Sequence, residues 1–253
     1  MKRLFLLSTL IAFTISFANA QTEIDQTKIT QKVNKKNVIK FFPTSLVFGK
    51  ATIGYERVIN ENGSFTFNLG LPSGINPLDY APEFSSEDFS LNSGKISGML
   101  FMPGYRFNFS KKGAPVGFYI EPYLKYESFT LDFEAEFIDA DNVIYPAKFD
   151  GDYSGIGGGF QMGVQCMIAR LITLEWSFLG IEAKSANANL TVTDVNGTID
   201  IDELFDEIEV NFSDIPLIGN KLEFEKGAHS VGAKASKFVM PGLRSVFSIG
   251  IAF

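Results

Sequence analysis

The sequence is poor in the side chains on which most chemistry depends. It has one cysteine, Cys166, one histidine, His229, and one tryptophan. A lone cysteine excludes an internal disulfide, and inside an alternating apolar stretch its expected role is a small apolar filler. No metal and no cofactor is expected. Long apolar runs are missing too: after the first twenty residues no stretch reaches the ~18 consecutive apolar residues of a transmembrane helix. A membrane-embedded form of this chain would therefore have to cross with strands. Cations are outnumbered, with 22 Lys and Arg against 29 Asp and Glu and a net charge of −7. Phosphate backbones are held by basic surfaces, so nucleic acid is not an expected partner.

What is present is Phe, Tyr and Gly in strict alternation. In residues 243–253 one face is Leu243, Ser245, Phe247, Ile249, Ile251 and Phe253. The other is Arg244, Val246, Ser248, Gly250 and Ala252. A period of two with large apolar residues on one side is a strand with hydrocarbon outside and a tight polar space inside. The same pattern sets Ile53 and Tyr55 against Thr52, Gly54 and Glu56. It sets Phe65, Phe67, Leu69 and Leu71 against Ser64, Thr66, Asn68 and Gly70.

Further strands are expected over 96–109, 116–131, 152–168 and 171–183. A weaker one over 38–48 contains Pro43, and Pro122 suggests a bulge in mid-strand. Asn60-Glu61-Asn62-Gly63 reads as a hairpin turn, and 110–115 and 169–170 as short links. Residues 72–95, the acidic stretch 132–151 and 185–240 read as long segments. Short links alternating with long ones mark the two ends of a membrane barrel, and the parity closes at eight strands.

The amino-terminal residues read as a secretory signal. Lys2 and Arg3 precede an apolar run over 4–17 and a small-residue site at Ala18-Asn19-Ala20. The expected organisation is a signal peptide (1–20), a polar periplasmic lead-in (21–37) and one β-barrel domain (38–253). Cleavage would leave a net charge of about −9.

An eight-stranded barrel is filled by side chains. The inward set is Glu56, Arg106, Glu121, Lys125, Glu127, Gln161, Gln165 and Glu175. Charges of both signs can pair there, so a packed ionic plug is favoured over a proton or ion path. The glycines of 155–163 suit a crowded interior into which larger side chains reach.

Two other constellations are weak. Residues 194–203 echo a calcium loop, with Asp194, Asn196, Asp200 and Glu203 at oxygen positions, but the first position is Val192. A turn and a short amphipathic helix carrying Leu204, Phe205 and Ile208 is the preferred reading. His229 and Ser230 are adjacent, which would turn them to opposite sides of a strand, and no acid is assignable to them. The apolar pieces 215–219 and 238–241 are expected to cap the barrel mouth.

Together the signal-like start, Gly54-Tyr55-Glu56-Arg57, the run 117–123 and the terminal Phe253 resemble small outer-membrane β-barrel proteins of Bacteroidetes-type Gram-negative bacteria. The resemblance covers 38–183 and 241–253. It implies a closed, up-and-down antiparallel transmembrane barrel of about eight strands, with one long outer segment (185–240) carrying a short helix. It also implies that Phe247, Ile249, Ile251 and Phe253 form a signal read by the barrel-assembly machinery. Outer-membrane lipid is then a partner, and an extracellular partner could meet the outer loops. The family has no general assigned reaction, so a non-enzymatic envelope or surface role is expected. A lipid A-modifying enzyme using His229 and Ser230, or a narrow passage for small or apolar solutes, are the alternatives.

Overall fold

The structure, a computed structural model, describes residues 35–74, 85–86, 89–138, 144–197, 201–202, 205–206, 209 and 221–253. Ten strands follow one another: β1 Asn37–Phe42, β2 Lys50–Asn60, β3 Gly63–Pro72, β4 Ser85–Ser86, β5 Phe89–Asn108, β6 Gly117–Ile138, β7 Ile144–Ile168, β8 Ile172–Asp194, β9 Leu222–Lys226 and β10 Ser230–Ala252. Eight of them, β1, β2, β3, β5, β6, β7, β8 and β10, pair antiparallel in order, and β10 returns to β1 to close the ring. Strands β4 and β9 lie outside it, on β5 and β10.

The stagger of the ring follows from its register. From Val38 the pairs run through Glu56, Thr66, Gly104, Tyr123, Gly159 and Glu182 to Gly242. Val38 itself pairs with Ala252. One circuit therefore shifts the register by about ten residues, a shear that tilts eight strands by roughly 35–45° and leaves an interior only wide enough for side chains.

At one end the links are short. The β2–β3 link is Glu61 and Asn62, and the Asn62 N–H donates to Asn60 Oδ1 at 3.0 Å. Ala169 and Arg170 both take positive φ, 50° and 56°, as a tight primed hairpin turn requires. At the other end five strands, β5, β6, β7, β8 and β10, run on for 20 to 25 residues each. By contrast β1, β2 and β3 have 6, 11 and 10. The barrel thus has a low wall and a tall one, and the tall wall continues as a sheet beyond the ring.

Several expectations are corrected. The strand expected over 38–48 ends at Phe42, because Pro43 opens a 3-10 turn, Pro43–Phe48, closed by Gly49 at φ 64°. The acidic stretch 132–151 is mostly strand, in β6 and β7, and so are both ends of 185–240, where β8 runs to Asp194 and β10 begins at Ser230. Its helical positions include Ile201, Asp202, Phe205 and Asp206, whereas Leu204, Ile208 and 215–219 lie outside the described residues. Pro122 makes no bulge. It stays in register with Phe160, so its missing N–H faces β5. There Gly104↔Tyr123 and Phe107↔Ile120 keep one register on either side of it. The signal-like segment and most of the lead-in also lie outside the described residues.

Candidate functional site in the lumen

The ring is inverted relative to a water-soluble barrel. Ile39, Ile53, Tyr55, Phe65, Phe67, Met99, Phe101, Leu124, Ile156, Phe160, Trp176, Ile249 and Ile251 are exposed on its outside. Lys40, Lys50, Glu56, Arg106, Glu121, Lys125, Glu127, Glu175, Glu182 and Lys184 are buried within. Alternation alone produces this, since each β-strand sends successive side chains to opposite faces. All eight residues read from the sequence as the inward set, Gln161 and Gln165 included, lie on this inner face and are buried. Among the terminal aromatic and aliphatic set, Ile249, Ile251 and Phe253 are exposed and Phe247 is partly so.

The charged residues form two layers. In the lower one Arg106 gathers three carboxylates. Its Nε donates to Glu121 Oε2 at 2.7 Å, and its Nη2 lies 2.7 Å from Glu175 Oε1. Its Nη1 is 3.4 Å from Glu56 Oε2 and donates to Gln165 Oε1 at 2.7 Å. Lys40 Nζ bridges Glu56 at 2.7 Å and Glu175 at 2.5 Å. Hydroxyls complete the acids: Ser64 donates to Glu56, Thr66 to Glu121, and Tyr119 and Ser248 to Glu175. The Tyr119 ring also lies under the guanidinium, 3.7 Å from its Cζ. A buried charge survives only when its remaining hydrogen-bonding capacity is met, and here neighbouring strands meet it from every side.

Above this layer Leu100, Met102 and Tyr123 form an apolar waist. The upper layer begins at Tyr123, whose hydroxyl donates to Glu182 Oε2 at 2.9 Å. Lys125 reaches Glu182 at 2.9 Å and Glu127 at 3.0 Å, and Lys184 pairs with the same two acids. Lys50 lies 3.8 Å from Glu127 and over the Phe129 ring. At the mouth Phe238, Ala186 and Ala235 pack with Tyr153, Ala188 and Leu222. Phe238 thus caps the barrel, while Val239 points outward and Met240, paired with the inward Lys184, is on the inner face yet exposed.

Sequence reasoning missed Lys40, Lys50, Glu182 and Lys184 as members of this network. Lys40 alternates with Ile39 and Phe41, a signal that the irregular residues after Phe42 obscured. Glu182 and Lys184 lie beyond a register shift in the β7–β8 ladder, between Met162 and Gly163. Phe178 and Leu179 both face outward there, which inverts the parity counted from Thr173.

The other candidates are not brought together. His229 is exposed in the β9–β10 link, and its carbonyl accepts from the Asp194 N–H at 2.9 Å. Ser230 pairs with Thr193 at the start of β10, roughly 25 Å along the strand from Phe238 at 3.3 Å per residue. Asp194 Oδ1 accepts the Asn196 N–H at 3.1 Å as a turn acceptor. Among the described residues no group of three His, Cys, Asp or Glu could hold a metal ion. On the outward face of the extension, a shallow cleft is lined by Lys95, Ser97, Thr130, Asp132, Asp150 and Asp152. Lys148 sits nearby, and its hydrogen bond to Asp150, with Asp132 beside it, raises its pKa above 10.5.

No family model, curated protein or solved structure matches this chain.

Proposed function

We propose that this chain is an integral outer-membrane β-barrel protein with a sealed lumen, exported by a cleavable signal peptide. Its role is non-enzymatic, in envelope structure or surface interaction through the tall extension. The observation that carries the reading is an aligned boundary on the outward face. At one level Tyr126, Ile156 and Val239 are apolar and only Ser185 on β8 is polar, and one step further the outward residues are Ser128, Ser154 and Asn187, then Thr130, Asp152 and Asn189. Below that level the outer surface is apolar down to Ile168 on β7. Twelve residues at about 3.3 Å, tilted by about 40°, give a band on the order of 30 Å, comparable with a bilayer's hydrocarbon core.

The inner face switches in the opposite sense at the same level. Glu127 gives way to Phe129, Leu131 and Phe133, and Gly155 to Tyr153 and Phe149. Polar inside and apolar outside suits lipid; apolar inside and polar outside suits water. One sheet carries both patterns in sequence, which supports a barrel in the membrane and an extension in solvent. The end with short links is then periplasmic. Exposed Ile249, Ile251 and Phe253, together with Phe247, form the segment offered to the assembly machinery. His229 and Ser230 stand at the far tip of the extension, away from any lipid ester, so a lipid-modifying reaction gains no support.

The test is fractionation with heat-modifiable migration on a denaturing gel. The reading expects the protein in the outer-membrane fraction, with unboiled and boiled forms migrating differently. A soluble protein without that shift would sink it. Planar bilayers should register no unit conductance, because the two ionic layers fill the lumen.

A further inference from the structure

The upper ionic layer holds more positive charge than its acids balance. Lys50, Lys125, Lys184 and Arg244 are present with two carboxylates, Glu127 and Glu182. The three lysines share those acids and Arg244 has neither. Its Nη1 donates to Met102 Sδ at 2.9 Å, its Cζ lies 6.0 Å from the Tyr123 ring, and its Nε is buried without a partner. A guanidinium presents five donors in a planar fork matched to oxyanions, and a buried donor left unmet is costly.

Arg244 also stands where the wall is least complete. The uppermost pair between β1 and β10 is Phe41↔Ile249. Above it, until β9 joins that edge at Ala235, β10 continues with β8 on one edge only. Its other edge faces the turn Pro43–Phe48, which touches β10 but shares no backbone hydrogen bond with it among the described residues. This stretch of β10 contains a register shift between Arg244 and Val246 and Pro241, which has no N–H to offer. Leu243 is 82% exposed beside it, and Val47 and Phe48 are exposed on the turn. The result is an apolar seam, just below the aligned boundary, with an unpaired arginine behind it.

We propose that Arg244 binds a small oxyanion of the phosphate class at this seam. The site rests on the barrel reading above. Its apolar lips favour the headgroup of an anionic membrane amphiphile over free phosphate as the source. The seam carries its own reporter, because Trp176, the only tryptophan in the chain, donates from Nε1 to Ser245 Oγ at 3.3 Å. Ser245 is the residue next to Arg244.

The experiment titrates the folded full chain, in micelles of an uncharged detergent, with dodecyl phosphate and separately with inorganic phosphate, following Trp176 emission. Dodecyl phosphate should give a saturable change, at least tenfold tighter than inorganic phosphate. Equal affinities would keep the site and make free phosphate its source. Arg244→Gln should weaken binding at least tenfold. Arg244→Lys, which keeps the charge and loses the fork, should weaken it severalfold and serves if the glutamine variant does not fold. No saturable change in the wild type, or unchanged affinity in both variants, overturns the proposal. Heat-modifiable migration of the same samples reports the barrel separately, so a folded barrel that binds nothing defeats the site alone.

Discussion

Arg106 on β5 donates to Glu175 on β8 at 2.7 Å across the lumen, and both side chains are buried. Neither residue is near the other in sequence or on a paired strand, so this contact braces the ring from inside. Arg106→Met would leave Glu56, Glu121 and Glu175 with Lys40 as their one remaining cation among the described residues. Breaking a buried ion pair from one side costs on the order of 3–5 kcal/mol. The variant should unfold at a clearly lower urea concentration, measured as loss of the heat-modifiable band. A midpoint equal to that of the wild type would show that the lower layer does not brace the barrel.

Crowding on the glycine-rich face differs along one strand. A Cβ at Gly163 would lie 2.5 Å from the Trp176 carbonyl oxygen and 2.7 Å from Tyr119 Cζ. At Gly151 its nearest neighbour would be Leu131 Cβ at 3.4 Å. Both positions face inward on β7. Gly163→Ala should destabilise by about 1–3 kcal/mol, the usual cost of overpacking, while Gly151→Ala should change the urea midpoint little. Equal effects would mean that both the Trp176 backbone and the Tyr119 ring opposite Gly163 can move aside.

These two faces show how much of the molecule was legible. A period of two identified the inner acids, Arg106 and the glycines, because on a barrel wall alternation and burial are the same signal. It failed where the register slipped. The shift beside Phe178 and Leu179 hid Glu182 and Lys184, and the turn after Phe42 obscured Lys40. The extension was legible in principle: Phe129, Leu131, Phe133 and Ala135 alternate with Thr130, Asp132, Glu134 and Glu136. That alternation has the opposite sense to the barrel's, and the density of acids made it resemble a loop. Pairing of residues distant in sequence, such as Lys40 with Glu175, leaves no local trace.

Lys148 offers a titration outside the apolar band. Its ammonium donates to Asp150 at 3.0 Å and lies 3.7 Å from Asp132, and these contacts raise its pKa above 10.5. A raised lysine pKa means the interaction is fully present below 10.5 and lost as pH climbs through the folded value. The side-chain ammonium of Lys148, followed by NMR, should titrate above 10.5 in the wild type and fall towards 10.5 in Asp150→Asn. Unchanged titration in that variant would mean the pair is not formed in solution.

The aligned boundary itself can be mapped with thiols. Cys166 is exposed on the outward face between Val164 and Ile168, within the apolar band two residues from its short-link end. In intact outer membranes it should react with a lipid-soluble maleimide and resist a charged one, reacting with both after unfolding. In a Cys166→Ser background, Asp152→Cys and Ile156→Cys place thiols four residues apart on one face of β7, with the boundary between them. A charged maleimide added to whole cells should label position 152 and spare position 156. Labelling at both would put the apolar band in water and remove the membrane reading. Labelling at neither would mean that the extension points into the periplasm, which adding the reagent to opened cells would reveal by labelling position 152 alone. Four residues of one strand thus decide both the depth and the direction of the barrel.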